Sequence, residues 1–394
     1  MSVIAGLPDI RPSLLLDFAN SRRVDPRIQF TRASTATCFG PDGVLRTVGK
    51  GIPRIDFDPA TGACLGLLIE ESRTNLILQS TGDSAKAPWN KGVNLTRVGN
   101  ALAPDGTNTA TTYTPAAVGN AYIGQSHQRA ANTTYAVSCY ARIRSGNVPT
   151  GGGIITIDYD ANGNTGDLER IILPFEGSGI SSEWKRFSLT FTNVSAYTAS
   201  TYFCTDFNPG TEIDLWGCQL EVGNFPTSYI PTTTSEATRA ADYAVMRDSD
   251  FSSWYRSDRG TFLVEASCYT ARPSGARHTL TFTDGTDMQM VVKIPRPTGL
   301  TGFTVTKNGS PTAELFGNDY VAKTFVKVAA AYARANFGFA DNGVVTANMS
   351  GDMPVGVNRL DIGSYGPYYQ NGHIKRIAYY PVRLSDTQLQ RLTA

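Results

Sequence analysis

The sequence predicts an all-β protein: two β-sandwich (jelly-roll) domains in tandem after an irregular N-terminal segment, with one short C-terminal helix. Three observations predict this class. Short runs alternate apolar with polar residues, as strands with one buried face do. Turns rich in Gly and Asn separate the runs, and only the last ten residues show a helical period. Finally, 38 of the 394 residues are Gly and 21 are Pro, while 18% are charged, below the roughly 25% of ordinary soluble domains.

The chain is long for a single hydrophobic core, so we expect it to be divided. The composition changes at two places and predicts three parts: residues 1–79, 80–242 and 243–394. The first part consists of short pieces interrupted by prolines and Gly-containing turns. So irregular a segment buries little surface by itself, and we expect it to dock on a neighbouring domain, another subunit or a partner.

The second part carries the clearest alternation. Its apolar positions recur at Tyr135, Val137, Cys139, Ala141 and Ile143, at Ile155, Ile157 and Tyr159, and at Phe187, Leu189 and Phe191. A last strand is predicted over residues 213–222. Strict alternation there predicts Trp216, Cys218, Leu220 and Val222 on one face and Leu215, Gln219 and Glu221 on the other.

The third part shows two hairpin signals and one helix signal. Asn308-Gly309 and Asn342-Gly343 each join two apolar runs, which is typical of tight β-hairpins. Near the C-terminus, Ser385 and Gln388 form a predicted capping box, with Leu384 and Leu389 as a hydrophobic staple. The sequence therefore predicts a second sandwich that ends in a short helix.

Charge and hydropathy exclude several functions. The net charge is +1, so no general attraction to nucleic acid or to anionic membranes is expected. No run approaches the ~18 consecutive apolar residues of a membrane span, and the N-terminus lacks the pattern of a signal peptide. The six cysteines contain no CxxC pair. Cys139 and Cys218 lie in strand patterns and are expected to be small buried residues, with a Cys204–Cys218 disulfide across a hairpin as the open alternative.

Catalysis is not expected. The chain has three histidines and no GxSxG motif, which argues against a nucleophile triad. Glycoside hydrolysis needs only two carboxylates at a suitable separation, and Glu169 with Glu221 or Glu265 with Asp361 could in principle supply them. Strand carboxylates on an outward face are usually solvated, so we predict a protein that is not an enzyme.

One local motif matches a calcium loop. Asp158, Asp160, Asn162 and Glu169 place oxygens at positions 1, 3, 5 and 12, with Gly163 at position 6. The flanks read as strands, however, and Asn162-Gly163 is a hairpin turn in its own right. We expect the turn and no cofactor, with Ca²⁺ as the less favoured alternative.

Two clusters have the composition of a sugar site, in which an aromatic ring covers a pyranose face and polar groups bind hydroxyls. The first comprises Tyr365, Tyr368, Tyr369 and Asn371 in a Gly-Pro loop, near His373, Arg277, His278 and Asp284. The second comprises Trp89, Tyr122 and His127, with Gln125. The tyrosines of the first cluster equally suit packing against a neighbouring subunit.

Three groups of residues resemble bacteriophage virion proteins of the fibre and head-spike type. Residues 216–234 resemble the closing strand of their carbohydrate-binding jelly rolls. Residues 30–36, 42–45 and 66–76 resemble the block that precedes such modules, and residues 380–389 resemble the end of a concanavalin-A-like (laminin-G-like) sandwich.

This resemblance implies a virion surface protein: a tail fibre, head spike or decoration component, made in the host cytoplasm. It implies lectin-like adhesion to host surface polysaccharide, attachment to other virion proteins through the N-terminal segment, and a homotrimer. A purely structural capsid or tail protein is the main alternative, and a polysaccharide depolymerase is the less favoured one.

Overall fold

The computed structural model describes residues 10–163, 168–273 and 275–394. It consists mainly of antiparallel strands, with three short helices, and the predicted all-β sandwich class is confirmed. In chain order the first elements are β1 (Leu14–Asp17), α1 (Phe18–Ser21), β2 (Gln29–Thr31), β3 (Ala36–Phe39), β4 (Leu45–Val48), β5 (Arg54–Phe57), β6 (Cys64–Ile69), β7 (Arg73–Asn75), β8 (Asn90–Lys91), β9 (Leu95–Ala101), β10 (Ala110–Pro115), β11 (Ile123–Arg129), β12 (Thr133–Ser145), β13 (Gly153–Tyr159), β14 (Glu169–Pro174), β15 (Lys185–Asn193), β16 (Tyr197–Thr205), β17 (Glu212–Val222) and β18 (Ala237–Arg239).

The remaining elements are β19 (Tyr243–Arg247), α2 (Asp248–Ser252), β20 (Arg259–Ala266), β21 (His278–Thr283), β22 (Gln289–Lys293), β23 (Leu300–Lys307), β24 (Ser310–Asp319), β25 (Val326–Ala333), β26 (Asn336–Asp341), β27 (Val344–Met349), β28 (Arg359–Ile362), β29 (Ser364–Tyr365), β30 (Tyr368–Tyr369), β31 (Gly372–Tyr380) and α3 (Asp386–Thr393). The chain forms two compact units. The central unit contains residues 44–47 and 73–239, and the C-terminal unit contains residues up to 43, 48–72 and 240–394.

The central unit is a sandwich of two five-stranded antiparallel sheets. One has the order β15-β12-β17-β10-β9 and the other the order β14-β13-β16-β11-β8. Its core contains the alternating residues that the sequence predicts, among them Val137, Cys139, Ile157 and Phe187. The non-sequential strand order of both sheets is that of a jelly roll rather than of simple hairpins.

A β-bulge at Gly217 changes the predicted faces of the last strand. Leu215, Cys218 and Leu220 all enter the core, whereas Trp216 lies on the outer face with Gln219 and Glu221. Gly217 has φ +64°, and two residues of β17 oppose one of β12 at this point. Strict alternation was therefore the wrong assumption here, because the extra residue shifts the register by one.

The segment after β17 folds back over this outer face. Tyr229 packs on Trp216 with ring centroids 4.5 Å apart, and the backbone N–H of Thr227 donates to Glu221 at 3.0 Å. The N–H of Ile230 donates to the Gln219 side chain at 2.7 Å. The two fully buried side chains of Glu221 and Gln219 thus accept hydrogen bonds from backbone N–H groups of a segment that forms no strand.

The C-terminal unit is a larger sandwich, and residues 10–43 and 48–72 help to build it. Its eight-stranded sheet has the order β27-β26-β25-β20-β31-β6-β5, with β1 also paired to β31. Its seven-stranded sheet has the order β2-β19-β28-β21-β22-β23-β24. Leu14, Leu16 and Ile69 lie in the same core as the C-terminal strands.

The predicted separation of residues 1–79 from 243–394 therefore does not match the compact units. The physical reason is that β1, β5 and β6 are too short to bury their apolar residues alone, and they do so by extending the C-terminal sheet. Docking of this segment on other virion proteins stays a prediction. The first nine residues, on which the expected lack of a signal peptide depends, lie outside the described residues.

A buried ionic network ties these early strands to the C-terminal unit. Arg54 has no exposed side-chain surface and contacts Asp242 at 2.5 Å and Glu70 at 2.8 Å. Asp242 also accepts from Arg32 at 3.1 Å and from the N–H of Glu70 at 2.9 Å. Burial lowers and the two carboxylates raise the pKa of Arg54, with a net rise, so the guanidinium stays charged.

The local predictions near the C-terminus are confirmed. Asn308-Gly309 and Asn342-Gly343 form two-residue hairpin turns with positive φ at all four residues. Helix α3 has Ser385 as its N-cap and the complete capping box with Gln388. Leu384 and Leu389 are buried together on the outer side of the eight-stranded sheet.

The described part of the chain contains no helix long enough to cross a membrane, the longest having eight residues. All six cysteines are free thiols, including Cys204 and Cys218. Burial raises the pKa of Cys139, Cys204 and Cys218 far above that of an exposed thiol, as expected for cysteines that act as small hydrophobic residues.

Candidate functional site

The strongest candidate site lies on the outer face of the seven-stranded sheet in the C-terminal unit. Strands β29 and β30 form a minimal hairpin in which Tyr365 opposes Tyr368. Gly366 occupies the first turn position with φ +57° and Pro367 the second, the arrangement of a type II′ turn. This turn points two tyrosines in the same direction, because directly paired residues share a face.

The two tyrosines lie parallel to a histidine. The ring of His278 is 4.9 Å from that of Tyr368 and 5.9 Å from that of Tyr365, at angles of 11° and 9°. His278 is 7% exposed, whereas Tyr368 is 40% exposed and Tyr365 is half-buried. We call Tyr365, Tyr368 and His278 the aromatic platform.

His278 is held as a neutral ring. Burial, and secondarily the charge of Lys293, lower its pKa to about 3. Its Nδ1 lies 3.1 Å from the hydroxyl of Thr281 on the same strand. At neutral pH the platform therefore carries no charge of its own, which suits contact with the weakly polar C–H face of a ligand.

A polar cleft of about 570 Å³ adjoins the platform. Its lining includes charged and amide side chains and two aromatic residues: Arg247, Asp248, Asp284, Asn358, Arg359, Phe251 and Tyr255. Thr286 connects the two: its backbone N–H donates to Asp284 of the cleft at 2.8 Å, and its carbonyl accepts from the Tyr365 hydroxyl at 3.2 Å. Hydroxyl-binding groups thus lie next to exposed rings.

The structure separates the other residues of the first predicted cluster from the platform. Tyr369 belongs to the sandwich core and its hydroxyl bonds to that of Tyr243. Asn371 is fully buried and holds Glu71 through two hydrogen bonds of 2.8 Å. His373 binds Asp56 at 2.8 Å. Tyr369 and Asn371 are therefore buried residues next to the hairpin, and neither is exposed enough to bind a ligand.

The second predicted cluster does not assemble. Trp89 is 6% exposed, lies in the core of the central unit and donates to the Gln79 carbonyl at 2.9 Å. Tyr122 packs edge-to-face on Tyr202. His127 lies farther along β11, where burial lowers its pKa to about 4. The expectation that Trp89 is a surface ring is wrong, because its indole fills the space beside Phe203.

The candidate calcium ligands form hydrogen bonds with one another and with neighbouring groups. Asp158 pairs with Arg170 at 2.8 Å, and Asp160 accepts from the N–H groups of Asn162 and Gly163 in a tight turn. The Asn162 amide donates to Glu169 at 2.7 Å. Within the described ranges no three acidic, histidine or cysteine side chains converge as a metal site. The connecting residues 164–167 lie outside those ranges.

The carboxylate pairs that the depolymerase alternative requires are not formed by the residues considered. Glu265 is beside Lys375 on the outer face of the eight-stranded sheet, whereas Asp361 pairs with Arg359 on the outer face of the opposite sheet. Glu221 is bound to Thr227, and Glu169 lies in the other sheet of the central unit. Neither pair can act together on one glycosidic bond.

Sequence reasoning missed Lys293 and the cleft residues Arg247 and Arg359. Lys293 is directly opposite His278 in the β21–β22 pair, and Arg247 is opposite Arg359 in the β19–β28 pair. Their outward positions follow from alternation with core residues such as Met246, Val292 and Leu360. That signal is visible in the sequence, but the pairing of Lys293 with His278 and of Arg247 with Arg359 depends on strand register.

The comparisons with known proteins return structural likenesses of low similarity. No family model matches the chain, and no curated protein matches it. A carbohydrate-binding module (CBM40) of a Ruminococcus gnavus sialidase, bound to α2,3-sialyllactose, is 16% identical with a TM-score of 0.30, covering 35% of this chain and 83% of that one.

Domain 4 of a GH43 arabinanase from Geobacillus stearothermophilus, in complex with arabinotriose, is 12% identical with a TM-score of 0.33, covering 44% of this chain and 82% of that one. A Trypanosoma rangeli sialidase is 14% identical with a TM-score of 0.30, covering 38% of this chain and 25% of that one. At such scores these likenesses assign neither a family nor an activity.

Proposed function

We propose that this protein binds glycans non-covalently and does not cleave them, and that it serves as a phage virion surface adhesin for host polysaccharide. The observation that carries the proposal is the aromatic platform of Tyr365, Tyr368 and His278 beside the polar cleft. The virion role, as spike, fibre or decoration component, is supported by the sequence resemblance described above.

The chemistry of the site suits a pyranose. A sugar ring has one apolar C–H face, which packs on an exposed aromatic ring such as Tyr368, and equatorial hydroxyls that need hydrogen-bond partners. Asp284, Asn358 and Arg359 in the adjoining cleft offer both donors and acceptors. A sugar packed on a ring without such partners would leave its hydroxyls without hydrogen bonds, so the site needs both the aromatic ring and the polar side chains.

A single shallow site of this kind binds weakly, and display in many copies compensates. Linked sites raise the overall avidity by about 10²–10⁴ when their spacing matches the repeats of a polymer. The homotrimer implied by the resemblance would supply three platforms in each assembly, and a virion would display many assemblies.

The proposal is tested by incubating the purified full-length protein with capsular polysaccharide or lipopolysaccharide from the host, with complex formation and new reducing ends measured in one sample. We expect binding without new reducing ends. Tyr365→Ala and Tyr368→Ala should each weaken binding about tenfold or more. Tyr122→Ala is the matched control, since this tyrosine lies in the central unit outside the platform, and it should bind as wild type.

Two outcomes would contradict the proposal. Release of reducing ends would make the protein a depolymerase. Absence of binding by a correctly assembled oligomer would favour the structural alternative, in which the exposed rings of the platform pack against another virion subunit. In that case Tyr368→Ala should change the oligomeric state or the incorporation into particles instead.

A further inference from the structure

We propose that the ligand of the aromatic platform is an anionic saccharide whose acidic group binds the ammonium of Lys293. This inference rests on the proposed glycan-binding function and specifies the class of sugar. The acidic group is a carboxylate, as in a uronic acid, or a sulfate or phosphate ester, since the three share the charge and the acceptor oxygens that an ammonium recognises.

Position is the first argument. Lys293 and His278 are direct partners in the antiparallel β21–β22 pair, and neighbouring strands lie about 4.8 Å apart. Lys293 alternates with the core residues Val292 and Ile294 and so projects from the outer face, where the platform lies. A pyranose stacked on the platform would therefore bring an exocyclic acidic group within reach of this ammonium.

Unbalanced charge is the second argument. In the described part of the chain, no carboxylate oxygen lies within 4.0 Å of the Lys293 ammonium, although its neighbours are paired. Arg296 contacts Glu314 at 2.9 Å, Arg359 contacts Asp361 at 2.9 Å, and Lys307, on the next strand, contacts Asp352 at 2.9 Å. Lys293 thus differs from these three nearby cations, each of which has a carboxylate partner.

Burial makes the unpaired charge costly. Lys293 is half-buried, and this burial, together with the nearby charge of Arg296, lowers the pKa of its ammonium to about 8, although the carboxylate of Glu314 acts to raise it. Glu314 is itself bound to Arg296. A cation held partly out of water without a carboxylate in contact is unfavourable, and a bound anion relieves the cost. The neutral, buried His278 adds no charge of its own, so we expect the cation directly opposite it, Lys293, to discriminate acidic from neutral sugars.

The first step of the test is a panel of immobilised oligosaccharides with neutral, carboxylated, sulfated and phosphorylated members, probed with the full chain. We expect the strongest signal among the acidic members, and the three acid types show which group is preferred. A neutral sugar as best ligand would overturn this inference and leave the proposed function intact. No binding to any member, nor to host polysaccharide, would overturn both.

The second step locates the charge with Lys293→Met, which keeps the length and apolar stem of the side chain. On the best acidic ligand we expect at least about tenfold weaker binding, and Lys293→Arg should restore most of it. Lys307→Met is the matched control, because that lysine lies on the same sheet but is already paired, and its loss should change binding less than about twofold.

A neutral analogue of the ligand completes a double-mutant-type cycle. Reduction of the carboxylate to an alcohol, or removal of the ester, should weaken binding to wild type and leave binding to Lys293→Met nearly unchanged. Equal losses in both proteins would show that the acidic group binds elsewhere and would overturn the inference. Tyr368→Ala should weaken acidic and neutral forms alike, which separates failure of the platform from failure of the charge contact.

Discussion

At the scale of single residues, two histidines that burial keeps neutral make the stability of the fold depend on pH, and one of them, His278, belongs to the aromatic platform. His278 and His127 have pKa values lowered to about 3 and about 4, mainly by burial, whereas an unfolded chain protonates histidine near pH 6.5. The unfolded state therefore binds more protons than the folded state over this interval. Each histidine costs folding free energy progressively as the pH falls below about 6.5.

We predict that His278→Gln makes the protein less sensitive to acid. Between pH 6.5 and 4.5, the free energy of unfolding of the variant should fall by about 1–2 kcal/mol less than that of wild type. Denaturant unfolding followed by tryptophan fluorescence at several pH values measures this difference. Carboxylates titrate in both proteins, so their contribution cancels in the comparison. If the unfolding free energies of both proteins fell in parallel with pH, His278 would not be a buried neutral ring.

Gly217 is a second position where one residue determines local structure. It has φ +64°, and a Cβ there would lie 2.8 Å from Cδ2 of Tyr140. We predict that Gly217→Ala lowers the free energy of unfolding by about 2–4 kcal/mol, since both backbone strain and a clash oppose it. Gly119→Ala is the control: φ is +80°, but nothing lies within 4 Å, so only about 1 kcal/mol is expected. Equal losses of stability in the two variants would show that positive φ alone causes the effect, without a contribution from the clash with Tyr140.

At the scale of elements, the segment after β17 depends on buried polar side chains. Glu221 is fully buried and accepts from the N–H and the hydroxyl of Thr227 at 3.0 and 2.5 Å. We predict that Glu221→Ala destabilises the central unit by about 2–3 kcal/mol and exposes this segment to protease, because the Thr227 N–H loses its acceptor. Glu212→Ala, on the same strand but half-buried, should change stability by less than about 1 kcal/mol. Similar effects of both changes would argue against this attachment.

The same segment shows how far a motif can be interpreted without structure. The sequence predicts a last strand over residues 213–222, and the structure confirms it as β17. The bulge and the return of the chain over its own sheet were not predicted. Alternation rules assume an uninterrupted ladder, whereas Gly217 and the buried acceptors Gln219 and Glu221 belong to contacts with residues more than five positions away.

At the scale of the whole molecule, residues 10–43 and 48–72 belong to a sandwich whose other strands begin at residue 243. We predict that a fragment of residues 240–394 does not fold alone. Without β1, β2, β5 and β6 it lacks strands of both sheets, and Asp242 loses Arg32 and Arg54. A fragment of residues 73–239 should fold, because both five-stranded sheets lie within it. Circular dichroism and thermal unfolding of the two fragments test this, and a cooperatively folding 240–394 fragment would contradict it.

The sequence by itself determined the class of the protein, its strands, its tight turns and its C-terminal helix. These features depend on neighbours two to four residues apart, and local patterns record them directly. Of the candidate site, it identified the tyrosine-rich loop, because three tyrosines beside Gly and Pro are unusual in so short a turn. It could not separate Tyr368, which is exposed, from Tyr369, which is in the core.

Only the tertiary structure decided the rest. The assignment of the N-terminal strands, the stacking of His278 on the tyrosines of a later hairpin, the pairing of Lys293 with His278, and the burial of Trp89 all follow from sheet register and packing between residues far apart in sequence. A one-residue shift moves a side chain to the opposite face. Which polar groups surround an exposed ring is therefore set by long-range pairing, and no local pattern contains that information.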